Sequence, residues 1–371
     1  MRINEFKLER YFAKHEFSAK YLLSSSDCDG FAVKDILALA SDKEIDLWNN
    51  LHLGYTESEG NILLRDSICQ FYRKNSAENI VVASPGELNF ATMNTLLDTD
   101  DHVITISPSY QSLSEVVKSI GCDISYWKPN PENWVFDPAD LEKLIKKNTK
   151  LIIINFPHNP TGSYLTKSEL NKVIEVARKN NVYLFSDEMY HKLTISDVKE
   201  LSPVCDLYEK GISLWGTSKT FGMAGLRTGW IVSQDKKLLK KILAFKDYLS
   251  ICNSAPSEIL ALIALNNYEK FLSINIEKIK KNILLFQSFV KKHSDFFDLI
   301  PPKAGSVALV KINTKRSSLE FSNLLVENTG IMTVPGEMFG MEGKYLRIGF
   351  GRDNFPEILA RFDEILASNN Y

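Results

Sequence analysis

Residues 214–230 read LWGTSKTFGMAGLRTGW, and the interpretation of the whole chain starts from this stretch. Lys219 stands among small residues, and Arg227 follows eight positions later. A lysine becomes an imine-forming nucleophile when desolvation or neighbouring cations lower its pKa. An arginine at this spacing suits a phosphate group. A solvated surface lysine is the ordinary alternative, so the decision depends on two further motifs.

Both motifs follow apolar runs that predict buried strands. Residues 155–162, NFPHNPTG, come directly after Leu151–Ile154, and residues 186–190, SDEMY, come directly after 182–185. Ligands of open α/β sheets bind at the carboxyl ends of parallel strands. The sequence therefore predicts one site that collects an amide, a carboxylate and a phenol: Asn159, Asp187 and Tyr190.

The order NPTG, SDEMY and SKTFGMAGLR resembles the class I/II aminotransferase group of fold-type I pyridoxal phosphate enzymes. The resemblance implies that Lys219 binds the cofactor as an imine and later moves protons. It implies that Asp187 keeps the pyridine nitrogen protonated, so that the ring accepts electrons. Asn159 and Tyr190 would hydrogen-bond the 3-oxygen of the ring, and Arg227 would bind the phosphate. The implied catalytic residues are Lys219, Asp187 and Tyr190.

The same resemblance implies further cofactor contacts at a turn that opens a helix and beside the lysine: Ser84, Pro85, Gly86, Thr217 and Ser218. Backbone amides at a helix start bind anions. Pro85 lacks an amide hydrogen, which is a departure from a simple amide cradle. Gly216 stands where the family often has a hydroxyl residue, and Thr217 or Ser218 is expected to replace that hydroxyl.

Three more positions match family residues. Tyr110 matches the aromatic residue that stacks on the cofactor ring. Arg347, in YLRIGFG at residues 345–351, matches the arginine that binds the substrate α-carboxylate, next to Asn159. The GxG of this stretch lacks the third glycine of a dinucleotide site. Tyr55 matches a tyrosine that reaches the phosphate of the neighbouring subunit, which implies a homodimer with a shared active site.

Composition excludes several other classes of protein. The chain has 371 residues and 44% hydrophobic content, enough for about two domains. A net charge of −2 does not favour nucleic acid or anionic membranes. The charged N-terminus argues against a signal peptide, and no apolar run could span a bilayer. Five scattered cysteines without a CxxC pair indicate a reducing cytoplasm and no metal site.

Alternating strand and helix patterns predict the architecture. The strand candidates are residues 79–83, 102–107, 123–127, 151–155, 182–186, 212–215 and 230–233. Asp137-Pro138 and Thr166–Glu169 predict helix starts. We expect an aspartate-aminotransferase-like α/β fold with a mostly parallel seven-stranded sheet. The expected boundaries are residues 49–285 for a large cofactor-binding domain, with 1–48 and 286–371 forming a smaller α+β domain.

Fold alone does not decide the reaction. Residues 9–12, 22–27, 53–58, 246–248 and 253–258 resemble the branch that contains capreomycidine synthase, enduracididine-forming cyclases and pyridoxal phosphate-dependent arginine oxidases. Enzymes of that branch act on arginine or hydroxyarginine. The resemblance thus implies an arginine derivative as substrate.

A guanidinium group needs carboxylates to accept its hydrogen bonds. The N-terminal segment contains Glu9, Glu16, Asp27 and Asp29, with Asp27 the first candidate and Glu9 the second. Solvated surface acids are the alternative interpretation of this group. The hypothesis is a cyclodehydratase that removes the α-proton of a hydroxylated arginine, expels water and closes a guanidine ring.

Three other functions stay open. The chain could transfer the α-amino group to a keto acid as an aminotransferase, or consume dioxygen as an arginine oxidase. A transcription regulator that senses pyridoxal phosphate is the non-enzyme alternative. Such regulators carry an upstream DNA-binding domain, and the residues before Tyr55 contain no basic recognition helix.

Overall fold

The computed structural model describes residues 2–367, which form thirteen strands and fourteen α-helices. The strands are β1 Tyr21–Leu22, β2 Ile80–Ala83, β3 His102–Ile106, β4 Asp123–Trp127, β5 Thr149–Asn155, β6 Tyr183–Asp187, β7 Gly211–Gly216, β8 Gly229–Ser233, β9 Phe297–Leu299, β10 Val307–Ile312, β11 Ile331–Met332, β12 Val334–Pro335 and β13 Tyr345–Gly349. The helices are α1 Lys7–His15, α2 Val33–Leu37, α3 Asp42–Asn49, α4 Ile62–Cys69, α5 Pro85–Leu96, α6 Ser112–Ile120, α7 Pro138–Lys143, α8 Lys167–Lys179, α9 Val204–Leu207, α10 Lys236–Lys246, α11 Ala255–Asn266, α12 Tyr268–Lys292, α13 Ser318–Thr329 and α14 Phe355–Ala367.

The central sheet has seven strands in the order β2-β8-β7-β6-β5-β3-β4. Strand β8 is antiparallel to both of its neighbours, and the pairs from β7 to β4 are parallel. The predicted mostly parallel, seven-stranded sheet is therefore confirmed. Each predicted strand occurs within two residues of its expected bounds, because buried parallel strands are continuous apolar runs.

Both faces of this sheet are covered. Side chains alternate between the faces along a strand, so Ile152 and Ile154 of β5 pack against the layer that contains α8. Leu151 and Ile153 of the same strand pack on the opposite face with α5, α6 and α10. The alternation explains why the strands are apolar at nearly every position.

Local hydrogen bonds start the helices where the sequence predicts them. Asp137 Oδ1 accepts a hydrogen bond from Ala139 N at 2.9 Å at the start of α7. Thr166 and Glu169 form a reciprocal capping box at the start of α8. These caps satisfy amide groups that the helix leaves without partners.

A second sheet, β12-β13-β10-β9, is antiparallel, and β1 pairs with β11 in parallel. Residues from β1 and from the C-terminal elements share one core, in which Leu23 and Cys28 pack with Ile348 and Phe350. Segments from near both ends of the described chain thus contribute to this core. Helix α12 continues through residue 285, and the exact domain boundaries stay a prediction.

The parallel register brings the ends of three strands together. Asn155 pairs with Asp187, and Asp187 pairs with Leu214. The two sequence motifs and the Lys219 loop therefore leave the sheet on the same side, at the carboxyl ends of strands β5, β6 and β7. Within residues 2–367, no helix is long and apolar enough to cross a membrane, and no cluster of His, Cys, Asp or Glu side chains is suited to a metal ion.

Candidate active site

A cavity of about 400 Å³ opens at the carboxyl ends of these strands of the central sheet. It lies between the sheet, helix α1 and strand β13. Its walls bring together most of the site residues that the sequence predicts: Glu9, Asp27, Pro85, Gly86, Tyr110, Asn159, Asp187, Tyr190, Ser218, Lys219, Arg227 and Arg347. Ser84, Thr217 and Tyr55 do not line it.

Lys219 follows strand β7 and directs its amine into the cavity. Lys219 Nζ donates a hydrogen bond to Ser26 Oγ at 2.8 Å. Desolvation lowers the pKa of Lys219; Asp27 opposes this shift, and Arg347 and Arg227 add to it. A lowered pKa favours the neutral amine, which is the nucleophilic and basic form.

Asp187 ends strand β6 and is buried. Asp187 Oδ1 accepts a hydrogen bond from Met189 N at 3.1 Å. Burial raises the pKa of Asp187 to about 6. A buried carboxylate with so few partners is costly, and a protonated ring nitrogen in the cavity would supply the missing cationic partner.

Asn155 joins the two motifs, a role that the sequence interpretation did not assign. Asn155 Nδ2 donates to Asp187 O at 2.8 Å, and Asn155 Oδ1 accepts from Asn159 N at 2.9 Å. The side chain thus holds the loop after β5 against the end of β6. Its position at the end of the strand, four residues before Asn159 of NPTG, was the available signal.

Tyr190 presents a buried hydroxyl that has no hydrogen-bond partner among residues 2–367. Burial raises the pKa of Tyr190 to about 12, so the phenol stays protonated at neutral pH. Asn159 Oδ1 accepts from an Arg347 amino group at 3.2 Å, which leaves the Asn159 amide available as a donor. Tyr190 and Asn159 could therefore both donate to a ring oxygen.

The opposite end of the cavity suits a phosphate. The backbone at Pro85 and Gly86 forms the start of the twelve-residue helix α5, where the helix dipole favours anions. Ser218 Oγ is buried and has no hydrogen-bond partner in the described part of the chain. Arg227 lines the same wall, with a left-handed backbone at φ 54°, and its side chain remains exposed. These are amide, hydroxyl and guanidinium donors for an anion.

Close packing explains why this end departs from the usual family pattern. A Cβ atom on Gly216 would lie 2.9 Å from Gly229 Cα and 2.9 Å from Thr228 O. A Cβ on Gly229 would lie 2.7 Å from Cγ of Pro85. Pro85 thus fits against two glycines, and no hydroxyl side chain could stand at residue 216 without a backbone shift.

The side chains of two residues predicted to contact the cofactor, Thr217 and Ser84, form hydrogen bonds within the protein instead. Thr217 is buried, and its hydroxyl donates to Thr228 O at 3.0 Å, so Ser218 alone offers a free hydroxyl. Ser84 caps helix α5 and accepts a hydrogen bond from Glu87 N at 3.4 Å. Both side chains stabilise the loops that shape the phosphate end without lining it.

Arg347 lies on β13 and is only 1% exposed. It donates to Asn159 Oδ1 and, at 2.8 Å, to Ser24 O, while its Nε has no hydrogen-bond partner among residues 2–367. The guanidinium also faces the rings of Phe339 and Phe12. A buried cation without a paired carboxylate is energetically costly. The arrangement therefore suits an arginine that binds an anionic group such as an α-carboxylate.

Helix α1 and the segment after it add three carboxylates to the cavity wall: Glu9, Glu16 and Asp27. Glu9 accepts a hydrogen bond from Tyr110 Oη at 2.7 Å. Asp27 faces Arg352 at 3.4 Å. The side-chain carboxylate of Glu16 makes no hydrogen bond or ion pair within the described chain, and burial, followed by the charge of Asp27, raises its pKa.

Asp29, the fourth acid of the segment, lies outside the cavity. It pairs with Lys278 at 3.1 Å and accepts from Asp353 N at 2.7 Å. Tyr110 lines the cavity, and its predicted stacking on the cofactor ring stays a prediction. Tyr55 is 88% exposed on a separate surface, so its predicted contact with another subunit stays a prediction.

The sequence profile of aminotransferase class I and II matches residues 18–361. The chain belongs to this family. Its members are pyridoxal phosphate enzymes of fold-type I, which act on small amino acid substrates, and the chain is such an enzyme. Aspartate aminotransferase of Pyrococcus horikoshii is 28% identical over 331 residues, covering 84% of this chain and 83% of that protein.

Three similar proteins match almost the whole length of this chain. Capreomycidine synthase of Streptomyces vinaceus is 25% identical over 372 residues, covering 98% of this chain and 94% of that enzyme. A pyridoxal phosphate-dependent aminotransferase from Streptococcus suis 89-1591 superposes with a TM-score of 0.93 at 26% identity, covering all of both chains. The cyclase OrfR has the same fold, with a TM-score of 0.91 at 24% identity and coverage of 100% and 98%.

The residues of the cavity fit pyridoxal phosphate. The unpartnered buried hydroxyls of Ser218 and Tyr190 lie in a cavity that also holds the amine of Lys219 and the carboxylate of Asp187. Hydroxyl and amide donors at one end match the phosphate, and Asp187 matches a protonated ring nitrogen. The cofactor supplies an electron sink for a carbanion at the substrate α-carbon.

Proposed function

We propose that this aminotransferase-family enzyme is a cyclodehydratase that acts on a hydroxylated arginine. The observation that carries the proposal is the excess of acids at one end of the cavity. Among the described residues of the lining, the cations are Lys219, Arg227 and Arg347, and each has a role at the amine, phosphate or carboxylate end. Glu9, Glu16 and Asp27 remain for the substrate side chain.

Charge argues for a guanidinium over an acidic side chain. Glu16 has no partner, and its pKa is raised by burial and by Asp27, so a bound cation would relieve an existing repulsion. Glu16 also caps the C-terminal end of helix α1, where a negative charge is unfavourable to the helix. An aspartate side chain would add a further negative charge here. Glu16 is thus the better candidate than Asp27 for binding the substrate guanidinium, because Arg352 already neutralises part of the Asp27 charge.

The near full-length match to capreomycidine synthase supports the same substrate class. The matches to aspartate aminotransferases support transamination instead, and they cover less of this chain. Transfer of the α-amino group to a keto acid is therefore the second candidate function. A dioxygen-consuming arginine oxidase is the third.

The side chains can perform the cyclisation in three steps. Arg347 holds the α-carboxylate while Lys219 takes the α-proton. Loss of a β-proton then allows the γ-hydroxyl to leave with a proton as water. A guanidine nitrogen adds to Cγ and gives up its proton, for which Glu16 and Asp27 are the nearby acceptors; a five-membered ring results, and protons return to Cβ and Cα, so that one water is lost overall. A β-hydroxyl would leave directly after removal of the α-proton, without loss of a β-proton, and a guanidine nitrogen would then add to Cβ, giving a six-membered ring after Cα is protonated again.

The deciding experiment is mass spectrometry of products from β- and γ-hydroxyarginine, without added keto acid. A product lighter by one water that retains its α-amine, formed over many turnovers, would support the cyclodehydratase. Turnover that stops after one equivalent and resumes with a keto acid would indicate an aminotransferase. Consumption of dioxygen would indicate the oxidase.

Recognition of the guanidinium can be tested separately by comparing hydroxyarginine with its neutral isostere hydroxycitrulline. Replacing Glu16 by Gln should remove one charge-assisted hydrogen bond, about 1.5–3 kcal/mol, and reduce the preference for hydroxyarginine roughly 10–150-fold. The exposed acid Glu5 lies on the same segment, outside the cavity, and Glu5→Gln is the matched control. An unchanged preference in Glu16→Gln would contradict the assigned role.

We also propose a cytoplasmic homodimer in which Tyr55 reaches the cofactor phosphate of the partner. Leu53 and Tyr55 are 84% and 88% exposed, and an apolar residue exposed to this degree suits an interface between copies of the chain. Light scattering tests the dimer. A monomer that binds its cofactor fully would contradict the shared site.

A further inference from the structure

Ser26 contacts the amine on which the chemistry of this enzyme depends. The 2.8 Å bond from Lys219 Nζ to Ser26 Oγ is the one hydrogen bond that this amine makes within residues 2–367. Ser26 also lines the cavity, as do Asp27 and Lys219. The two residues are 193 positions apart in the chain, so only the tertiary fold brings them together.

The backbone around Ser26 is held on both sides. We call residues 24–29 the serine strap. Ser26 O accepts from Ser306 Oγ at 2.6 Å, and Ser24 O accepts from Arg347. Asp29 N donates to Gly351 O at 3.0 Å. The Ser26 hydroxyl therefore points into the cavity from a fixed backbone.

Close approach adds to this rigidity. A Cβ atom on Gly349 would lie 1.7 Å from Ser25 O, and one on Gly351 would lie 2.3 Å from Asp27 O. The serine strap is thus in backbone contact with the segment that follows Arg347. The carboxylate-binding arginine and the lysine are positioned by the same short stretch of chain.

A hydroxyl in this position can orient a proton-transferring amine. A neutral lysine has two N–H bonds and one lone pair. When Ser26 Oγ accepts one N–H, the remaining N–H and the lone pair point away from the strap, toward the rest of the cavity. Proton transfer depends on such geometry, because the base must lie within hydrogen-bond reach of the proton it takes.

We propose that Ser26 is a positioning residue that holds the amine of Lys219 in the orientation from which it transfers the substrate α-proton. The inference needs only the family-level chemistry and holds for a cyclodehydratase and for an aminotransferase alike. Its failure is therefore distinguishable from failure of the proposed cyclisation.

The test compares Ser26→Ala, Ser26→Thr and Ser25→Ala. Ser25 belongs to the same strap, is buried, makes no side-chain hydrogen bond and does not line the cavity, so Ser25→Ala is the matched control. Exchange of the α-proton with D2O is followed by NMR for the holoenzyme with hydroxyarginine, arginine and aspartate. Capture of pyridoxal phosphate by the cofactor-free protein is followed by absorbance as a readout that needs no substrate.

We expect Ser26→Ala to slow both α-proton exchange and cofactor capture about ten-fold, the effect of one lost hydrogen bond. Substrate affinity and final cofactor content should stay unchanged, Ser26→Thr should restore most of both rates, and Ser25→Ala should match the wild type. Unchanged capture and exchange rates in Ser26→Ala would overturn the proposal. Equal losses in Ser25→Ala and Ser26→Ala would also overturn it, because they would indicate a purely structural role for the strap.

Discussion

Replacing Asp187 by Asn in the cofactor-free protein should raise the free energy of unfolding at neutral pH. Asp187 is buried, 8% exposed, and accepts one hydrogen bond, from Met189 N. Burial raises its pKa from 3.8 to about 6. The folded protein therefore disfavours the ionised carboxylate, and its ionisation costs stability.

The size of the effect follows from the shift in pKa. The rise of the Asp187 pKa from 3.8 to about 6 corresponds to about 3 kcal/mol. Between pH 3.8 and 6 the folded state binds more protons than the unfolded state, so the wild type loses stability as the pH rises through this range. Asparagine keeps the acceptor for Met189 N without the charge. Its advantage should be about 3 kcal/mol at pH 8, about half as large at pH 5 and near zero below pH 4.

Urea unfolding of both cofactor-free proteins at pH 8, 6 and 5 measures this difference. Asp235→Asn is a control of opposite sign. Burial acts to raise the pKa of Asp235, but hydrogen bonds from Leu238 N and the Tyr183 hydroxyl lower it overall. The ionised carboxylate therefore stabilises the fold, and this variant should lose stability. A less stable Asp187→Asn protein, or an advantage that does not change with pH, would refute the reasoning. In the loaded enzyme the same variant should lose activity, since the ring nitrogen loses its anionic partner.

Three further predictions concern the cavity, the serine strap and the proposed contact of Tyr55 with a partner subunit. Arg347→Lys keeps the positive charge but loses the planar guanidinium that binds a carboxylate through two hydrogen bonds. It should weaken amino acid binding roughly 10–150-fold in spectral titrations. Equal affinity would argue against binding of the α-carboxylate by Arg347. Gly349→Ala, which would force a methyl group toward Ser25 O, should lower the free energy of unfolding by about 1–3 kcal/mol, whereas Gly225→Ala, with open space around its Cβ, should not. Tyr55→Ala should raise the dissociation constant for pyridoxal phosphate without changing the stability of the isolated chain, and an unchanged constant would exclude it from the phosphate site.

Local patterns predicted the parts of the fold that depend on local physics. The apolar run Leu151–Ile154 became the centre of a strand because a strand covered on both faces needs apolar residues at every position. Thr166 began a helix because its hydroxyl and Glu169 satisfy neighbouring amides. Asn159 and Asp187 reached one cavity because each follows a parallel strand in the same sheet.

Local sequence patterns could not predict the contacts between segments that are distant in the chain. Thr217 and Ser218 are adjacent and chemically alike, and only packing turns one hydroxyl to Thr228 O and leaves the other free beside the cavity. Asp27 was the first candidate for the guanidinium, yet Arg352 lies beside it in the folded chain.

The sequence by itself determined the family, the cofactor and the order of the strands along the chain, because each depends on short motifs and on periodicity that folding does not alter. The tertiary structure decided which acids face the substrate, which hydroxyl stays free and which residue holds the lysine. Those choices depend on side chains brought together across hundreds of residues, as Ser26 is to Lys219. A hydrogen bond requires a specific distance and angle, and the sequence separation of two residues carries neither.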